Sequence, residues 1–239
     1  EDFLEGEELS VLAITNGREV ALLPPAQDHK RLLEGDRGPN TGGMGAYSPV
    51  SIATPALLAR VEQEVLLPTL EELDRLGAPF RGVLYAGLMI GPDGTLSVIE
   101  FNCRLGDPET QAVLPLVQSG LADAFWQAAE GGRLPALTLS SHSAVTTVLA
   151  ARGYPDRPEK GAVITIPADL PDDVMVFHAG TRMDADGTLR TAGGRVLAVT
   201  AVRPTFTEAQ AASRAAAEQI QFDGKQFRRD IGWREAARR

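Results

Sequence analysis

A single cysteine, Cys103, is all the thiol chemistry that these 239 residues carry. One cysteine excludes an internal disulfide and fits a reducing cytoplasm. No His or Lys stands near it in the sequence to lower its pKa, so it reads as a buried, inert thiol on the core side of its strand. No apolar run approaches the length of a transmembrane helix, and no signal-peptide pattern is present. Positive charge is also scarce. Lys and Arg number 23 against 32 Asp and Glu, for a formal net charge of −9. An acidic surface argues against nucleic acid or an anionic membrane as the main partner. An anionic small substrate would then need a local basic pocket or a metal. An initiator Met is missing too. The opening Glu1-Asp2-Phe3-Leu4 reads as mid-domain sequence, so the expectation is a fragment whose upstream part is absent.

What the chain does have is apolar material, 44% of its residues, enough to bury a core in one large domain or two smaller ones. Its most informative stretch is Ile99-Glu100-Phe101-Asn102-Cys103-Arg104-Leu105-Gly106-Asp107-Pro108-Glu109. The β-rich run Gly82–Ile90 and the turn Gly91-Pro92-Asp93-Gly94 precede it, which predicts an antiparallel hairpin. Side chains alternate along a strand. Glu100 and Asn102 therefore share a face, Ile99 and Phe101 point into a core, and Arg104 joins the polar face if the strand continues. Mg²⁺ takes hard oxygen ligands, commonly one or two carboxylates completed by phosphates and water. Arg suits bidentate contact with phosphate. The pattern therefore suits a metal–phosphate group, although Glu and Asn on a strand face are more often merely solvated.

Earlier in the chain, Leu9–Thr15 and Glu19–Leu23 flank Asn16-Gly17, a hairpin signal. Pro24 to Pro49 reads as one long loop. It carries Gln27-Asp28-His29-Lys30-Arg31 and then Gly38-Pro39-Asn40-Thr41-Gly42-Gly43-Met44-Gly45-Ala46-Tyr47. Its glycines allow close backbone approach to a ligand, and its amides could form an anion nest. The alternatives are a lid with no ligand, and surface positions for His29 and Lys30. It is not a Walker A loop, because no Gly-Lys-Ser/Thr follows.

Thr54-Pro55 predicts a helix start, and Pro68 a kink or restart before Leu70–Leu76. Pro108–Val117 and Leu121–Ala129 read as short helices broken at Ser119-Gly120. Beyond a linker at residues 131–138 come short strand-like runs. A capping-box pattern at Thr207–Gln210 then opens a helix to about Gln221. His142 and His178 read as structural. The tail, Phe227 to Arg234, is expected to pack back on the body.

Several of these stretches resemble one family. Residues 1–10, Gln27–Arg31, Gly38–Pro49, Leu84–Ile90, Ile99–Thr110 and Arg229–Arg234 are similar to phosphoribosylamine–glycine ligases (glycinamide ribonucleotide synthetases) of the ATP-grasp superfamily. The resemblance runs end to end and in family order. It implies an α+β fold, with an ATP-grasp core lobe of antiparallel sheet and helices over 1–137 and a smaller C-terminal α+β domain over 138–239. It implies a cytoplasmic enzyme of purine synthesis that joins glycine to 5-phosphoribosylamine, with ATP as substrate and Mg²⁺ or Mn²⁺ as metal.

The resemblance also implies roles. Glu100 and Asn102 match the metal ligands, and Arg104, less firmly Lys30, the phosphoryl contact. Glu1, Phe3 and Leu4 match the adenine-binding hinge, and Glu8 the ribose-binding acid. Asn40, Thr41, Gly42, Gly43 and Gly45 would shape the acceptor pocket, bordered by Asp107, Pro108 and Glu109. The family's N-terminal domain and most of its small ATP-grasp lobe are not in this sequence, so the fragment alone is expected to be inactive. Tyr85–Met89 offers no second acidic ligand, which leaves the number of metal ions open. The alternatives are a sister ATP-grasp ligase and a non-catalytic nucleotide-binding or assembly module.

Overall fold

A computed structural model describes residues 3–239. The chain forms two compact units. One holds the chain up to Gln27, Ser48–Gly106 and Val113–Ser141. The other holds Asp28–Tyr47, Asp107–Ala112 and His142 to the C-terminus.

The first unit is built on a four-stranded antiparallel sheet in the order Val20–Leu22, Glu7–Thr15, Gly82–Ile90, Leu96–Asn102. Leu12, Ile14 and Tyr85 lie on one face and pack with Ala124 and Ala128 of the Leu121–Glu130 helix. Glycines in the left-handed region bracket that helix, Gly120 at φ 88° and Gly131 at φ 75°, and they let the chain turn sharply at both ends. Thr54 caps the Pro55–Val61 helix by accepting the Leu57 amide. A π-helical stretch, Glu62–Leu66, follows and leads into Leu67–Arg75. Proline 68 has no N–H to offer residue 64, and the Leu67 amide bonds Glu62 O, five residues back.

The Leu96–Asn102 strand lies at the sheet edge, and here the sequence expectation fails. Ile99 and Phe101 are 45% and 42% exposed. The register explains Ile99. Gly87 pairs with Glu100 and Leu88 with Val98, so Ile99 is the extra residue of a bulge. Cys103 is likewise exposed, not buried, because it lies past the end of the strand.

The second unit has a sheet in the order Val174–His178, Arg195–Arg203, Ser143–Ala150, Gly45–Ser48, Gln27–Asp28. Ser143–Ala150 is buried along its whole length. The Phe206–Gln219 helix packs over it, and Ala216, Ala217 and Ile220 meet Leu149, Val196, Leu197 and Val199. Polar atoms inside this layer are paired: Thr147 Oγ1 and Ser213 Oγ lie 2.8 Å apart, and Ser213 also donates to Val199 O at 2.9 Å.

The helix cap is not where the pattern placed it. Thr205, not Thr207, accepts the Glu208 amide, and Glu208 reaches back to the Thr205 amide. Phe206, fully buried, fixes where the helix starts. The helix stops at Gln219, since the Gln221 backbone is engaged with Thr165.

The predicted long loop is also more ordered than expected. It contains strands Gln27–Asp28, Arg31–Leu33, Arg37–Asn40 and Gly45–Ser48. Gly35 at φ 67° and Asp36 at φ 53° place two left-handed residues in the three-residue connection Glu34-Gly35-Asp36.

Candidate functional site

In the first unit, register and pleat decide which side chains share a surface. Ser10 pairs with Gly87 and Gly87 with Glu100, while Leu12 pairs with Tyr85 and Tyr85 with Asn102. Glu8, Ser10, Tyr85, Gly87, Glu100 and Asn102 therefore line one face. The hydroxyls of Ser10 and Tyr85 are hydrogen-bonded at 2.8 Å and buried. Next to them Gly87 lets its neighbours come close: a β-carbon there would lie 3.1 Å from Glu100 Cγ and 3.3 Å from Tyr85 Cε1. Glu100 is exposed and Asn102 half-buried.

Two oxygen-bearing side chains thus project from one strand face. The described residues contain no cluster of three or more His, Cys, Asp or Glu suited to a metal. That donor set fits an ion that brings phosphate and water ligands of its own, and it does not fit a cage made wholly of protein. Glu100 and Asn102 are the residues that could hold such an ion.

The other residues expected around the nucleotide are placed less tightly. Phe3 is 90% exposed and Leu4 37%. Glu1 lies outside the described residues. The Glu8 carbonyl accepts from Gln27 Nε2 at 2.5 Å. Arg104 is exposed, with Nη1 donating to Leu105 O at 3.0 Å.

In the second unit the glycine-rich segment is not a free nest. The Thr41 amide donates to Lys30 O, the Gly42 amide to Tyr154 Oη at 2.9 Å, the Gly43 amide to Thr41 Oγ1 at 3.0 Å and the Met44 amide to His29 O. These amides are already used within the protein, so the anion-nest expectation does not hold for them. The glycines serve packing. A β-carbon on Gly43 would lie 2.4 Å from Pro108 Cδ, and one on Gly45 would lie 2.5 Å from Thr146 O. Asn40 is exposed and Thr41 half-buried; the Thr41 hydroxyl donates to Lys30 O at 2.8 Å. The Lys30 ammonium lies 3.4 Å from Asp28 Oδ1. Pro108 and Glu109 are buried, while Asp107 is about half exposed.

Sequence reasoning missed Arg195 and Tyr154. Arg195 Nη1 donates to Gly42 O at 2.6 Å and to Asp107 O at 2.7 Å, and its Nη2 donates to Asp107 Oδ2 at 3.1 Å. The signal was there, in the Gly193-Gly194-Arg195 run that opens the Arg195–Arg203 strand.

His29 departs from the surface alternative. It is 2% exposed, and its Nε2 accepts from the Gly232 amide at 2.7 Å. Its Nδ1 lies 3.8 Å from Asp36 Oδ1. Burial pushes the imidazole pKa down. Beside it Arg228, fully buried, forks onto Asp230 at 2.7 and 2.8 Å and reaches Asp36 at 2.9 Å. His29 together with Arg228 and Arg234 holds the Asp36 carboxyl far below the usual carboxylate range. A cavity of about 1190 Å³ lies in this unit, lined by Leu33, Arg37, Tyr154, Lys225 and Phe227 among others; none of the predicted site residues lines it.

With this geometry in hand, the comparisons decide the family. Residues 1–110 match the ATP-grasp (A) domain model of phosphoribosylglycinamide synthetase, and residues 144–234 match its C-domain model. The chain belongs to the phosphoribosylglycinamide synthetase family. It is 51% identical over 237 residues to a phosphoribosylamine–glycine ligase of Ralstonia nicotianae, covering 98% of this chain and 56% of that protein. The Synechocystis enzyme of the same name is 50% identical over 235 residues, covering 97% and 56%. The crystal structure of the Thermotoga maritima phosphoribosylamine–glycine ligase matches with TM-score 0.87 at 43% identity, over 97% of this chain and 57% of that one. The biotin carboxylase domain of a 2-oxoglutarate carboxylase matches with TM-score 0.67 at 15% identity, over 95% of this chain and 49% of that one, and so shares the fold. The chain spans a little over half the length of the curated relatives it matches. No helix among the described residues is long and apolar enough to cross a membrane.

Proposed function

We propose that the protein of which this chain is a part ligates glycine to 5-phosphoribosylamine at the expense of ATP, giving glycinamide ribonucleotide, ADP and phosphate. The glycine carboxylate attacks the γ-phosphorus, releases ADP and forms glycyl phosphate. The amine of phosphoribosylamine then attacks the acyl carbon and expels phosphate. Family membership supports this reading, and one observation in the fold carries it: Glu100 and Asn102 share a strand face with Glu8 and the Ser10–Tyr85 hydroxyl pair.

Glu100 and Asn102 would hold Mg²⁺ or Mn²⁺. Bound there, the ion would neutralise charge on the phosphate oxygens, an effect worth several kcal/mol. Glu8 would take the ribose hydroxyls, and Phe3 and Leu4 the adenine. Arg104 would offer its guanidinium to the transferring phosphoryl group, with Lys30 as a second cation. Asn40–Gly45 and Asp107–Glu109 would border the acceptor pocket. Alignment of acceptor and phosphoanhydride supplies much of the remaining acceleration, up to roughly 7–11 kcal/mol for well-held reactants. Functionally, the ATP-grasp lobe is assigned to 1–137 and the C-terminal domain to 138–239. The upstream part of the same protein is the natural partner, and the compartment is the cytoplasm.

The deciding experiment measures ADP release by the full-length protein. Turnover should require both glycine and phosphoribosylamine. Turnover with an unrelated acid and amine would point to a sister ligase. ATP binding without turnover would point to an assembly module.

A further inference from the structure

We propose that Arg195 is the positioning residue that locks the glycine-rich segment and the Asp107–Glu109 turn into one arrangement, and that acceptor-substrate affinity depends on this lock. The inference rests on the reading above that these two segments border the acceptor pocket.

Three observations converge on Arg195. Its guanidinium bonds two backbone carbonyls and one carboxylate, all from those two segments: Gly42 O, Asp107 O and Asp107 Oδ2. The planar fork of Arg suits such a set, and a lysine ammonium cannot reproduce it. Next, the space is cut to fit. A β-carbon on Gly42 would lie 3.1 Å from Arg195 Cζ, and Gly43 packs its bare Cα against Pro108. Finally, the residues just before Arg195 brace the same loop from the other side. Gly194 leaves room for the Tyr154 ring, whose Cδ2 would lie 2.4 Å from a β-carbon there. The hydroxyl of that ring accepts the Gly42 amide. Both polar groups of the Gly42 backbone are thus held by side chains that the Gly193-Gly194-Arg195 turn sets in place.

Arg195 has no need to touch substrate to act. Asp107 Oδ1 accepts from Gln111 Nε2 at 2.9 Å while Oδ2 takes Arg195, so the carboxylate is held at both oxygens. A carboxylate bonded at both oxygens fixes the geometry of the turn that carries it. Hydrogen bonds to a charged group contribute appreciably, and losing three of them together frees both segments.

The test uses the full-length protein with Arg195→Met, Arg195→Lys and Tyr154→Phe. Two readouts are taken: Michaelis constants for each substrate, and amide hydrogen exchange of residues 41–45. In Arg195→Met the constants for glycine and phosphoribosylamine should rise at least tenfold, with that for ATP changed less than twofold. Exchange at 41–45 should quicken at least tenfold, with the Ser143–Ala150 strand unchanged. Arg195→Lys should recover part of both effects. Tyr154→Phe, which deletes one hydroxyl and spares the fold, should give the same pattern at about threefold. Faster exchange with unchanged acceptor constants would overturn the proposal, as would an equal rise in the ATP constant. Should the wild-type protein need neither glycine nor phosphoribosylamine, the ligase reading fails. The exchange data would then still report separately whether Arg195 holds the loop.

Discussion

Gly87 lies directly across from Glu100, and the Cγ of that glutamate occupies the space a side chain at position 87 would need. A β-carbon would sit 3.1 Å away, so the glutamate must shift by a few tenths of an ångström. Gly87 is not in the left-handed region, so alanine meets no backbone strain. Gly87→Ala should therefore leave stability within about 1 kcal/mol. It should weaken the apparent Mg²⁺ dependence of ATP turnover several-fold by moving the carboxylate. A metal titration of turnover in the full-length variant, beside a urea melt, checks both halves. An unchanged metal dependence would remove Glu100 from the metal site.

Glu100→Ala tests the same carboxylate directly. The residue is exposed on an edge strand, so the melt should shift by no more than about 0.5 kcal/mol. Loss of a metal ligand should reduce turnover about a hundredfold or more, since metal charge stabilisation is worth several kcal/mol. Wild-type turnover in this variant would remove Glu100 from the metal site.

Acid should loosen the second unit in two stages. Burial pushes the His29 pKa down, and its Nε2 must stay unprotonated to accept the Gly232 amide. In the unfolded chain the ring titrates near pH 6.5 or so. Below that pH the unfolded state gains a proton that the folded state resists, so stability is full above roughly pH 6.5 and falls as the pH drops. Asp36, whose folded pKa is also depressed, adds loss in the same direction below roughly pH 4. Urea midpoints should fall between pH 7 and pH 5 in the wild type, and His29→Gln should flatten that slope. Parallel slopes in the two proteins would assign the effect elsewhere.

Arg228 is fully buried between Asp36 and Asp230. Arg228→Met removes the cation and leaves two carboxylates that are each only about a quarter exposed. Breaking a buried pair in this way costs about 3 kcal/mol, the lower end of the usual range because the carboxylates keep some solvent. Equilibrium urea unfolding measures it. Adding Asp36→Asn should recover part of the loss, and a double variant worse than the single would contradict the pairing.

Local chemistry was legible in the sequence wherever neighbours in the chain decide the outcome. Asn16-Gly17 marks a real hairpin, Thr54-Pro55 a real helix start, and Gly82–Ile90 with Leu96–Asn102 a real antiparallel pair. Alternation alone put Glu100 and Asn102 on one face, and the register agrees. The cap at Thr205 was missed by two residues. Two Thr share that spacing, and only the burial of Phe206 chooses between them.

Everything that depended on partners far along the chain was left to the tertiary structure. His29 meets Gly232, Arg228 meets Asp36, and Arg195 meets Gly42 and Asp107 across separations that no local pattern encodes. Composition rules place a histidine beside lysine and arginine on the surface. The fold buries it because a backbone amide and two ion-paired arginines are there to receive it and its neighbour Asp36. Ile99 and Phe101 went the opposite way, since a bulge and an edge position withhold the cover that their hydrophobicity asks for. The amino-acid order thus determined the family and the face that bears Glu100 and Asn102, because both reside in short, specific runs. Packing between distant segments decided what is buried and what holds the glycine-rich loop still, because desolvation and hydrogen bonding are settled only once those segments meet.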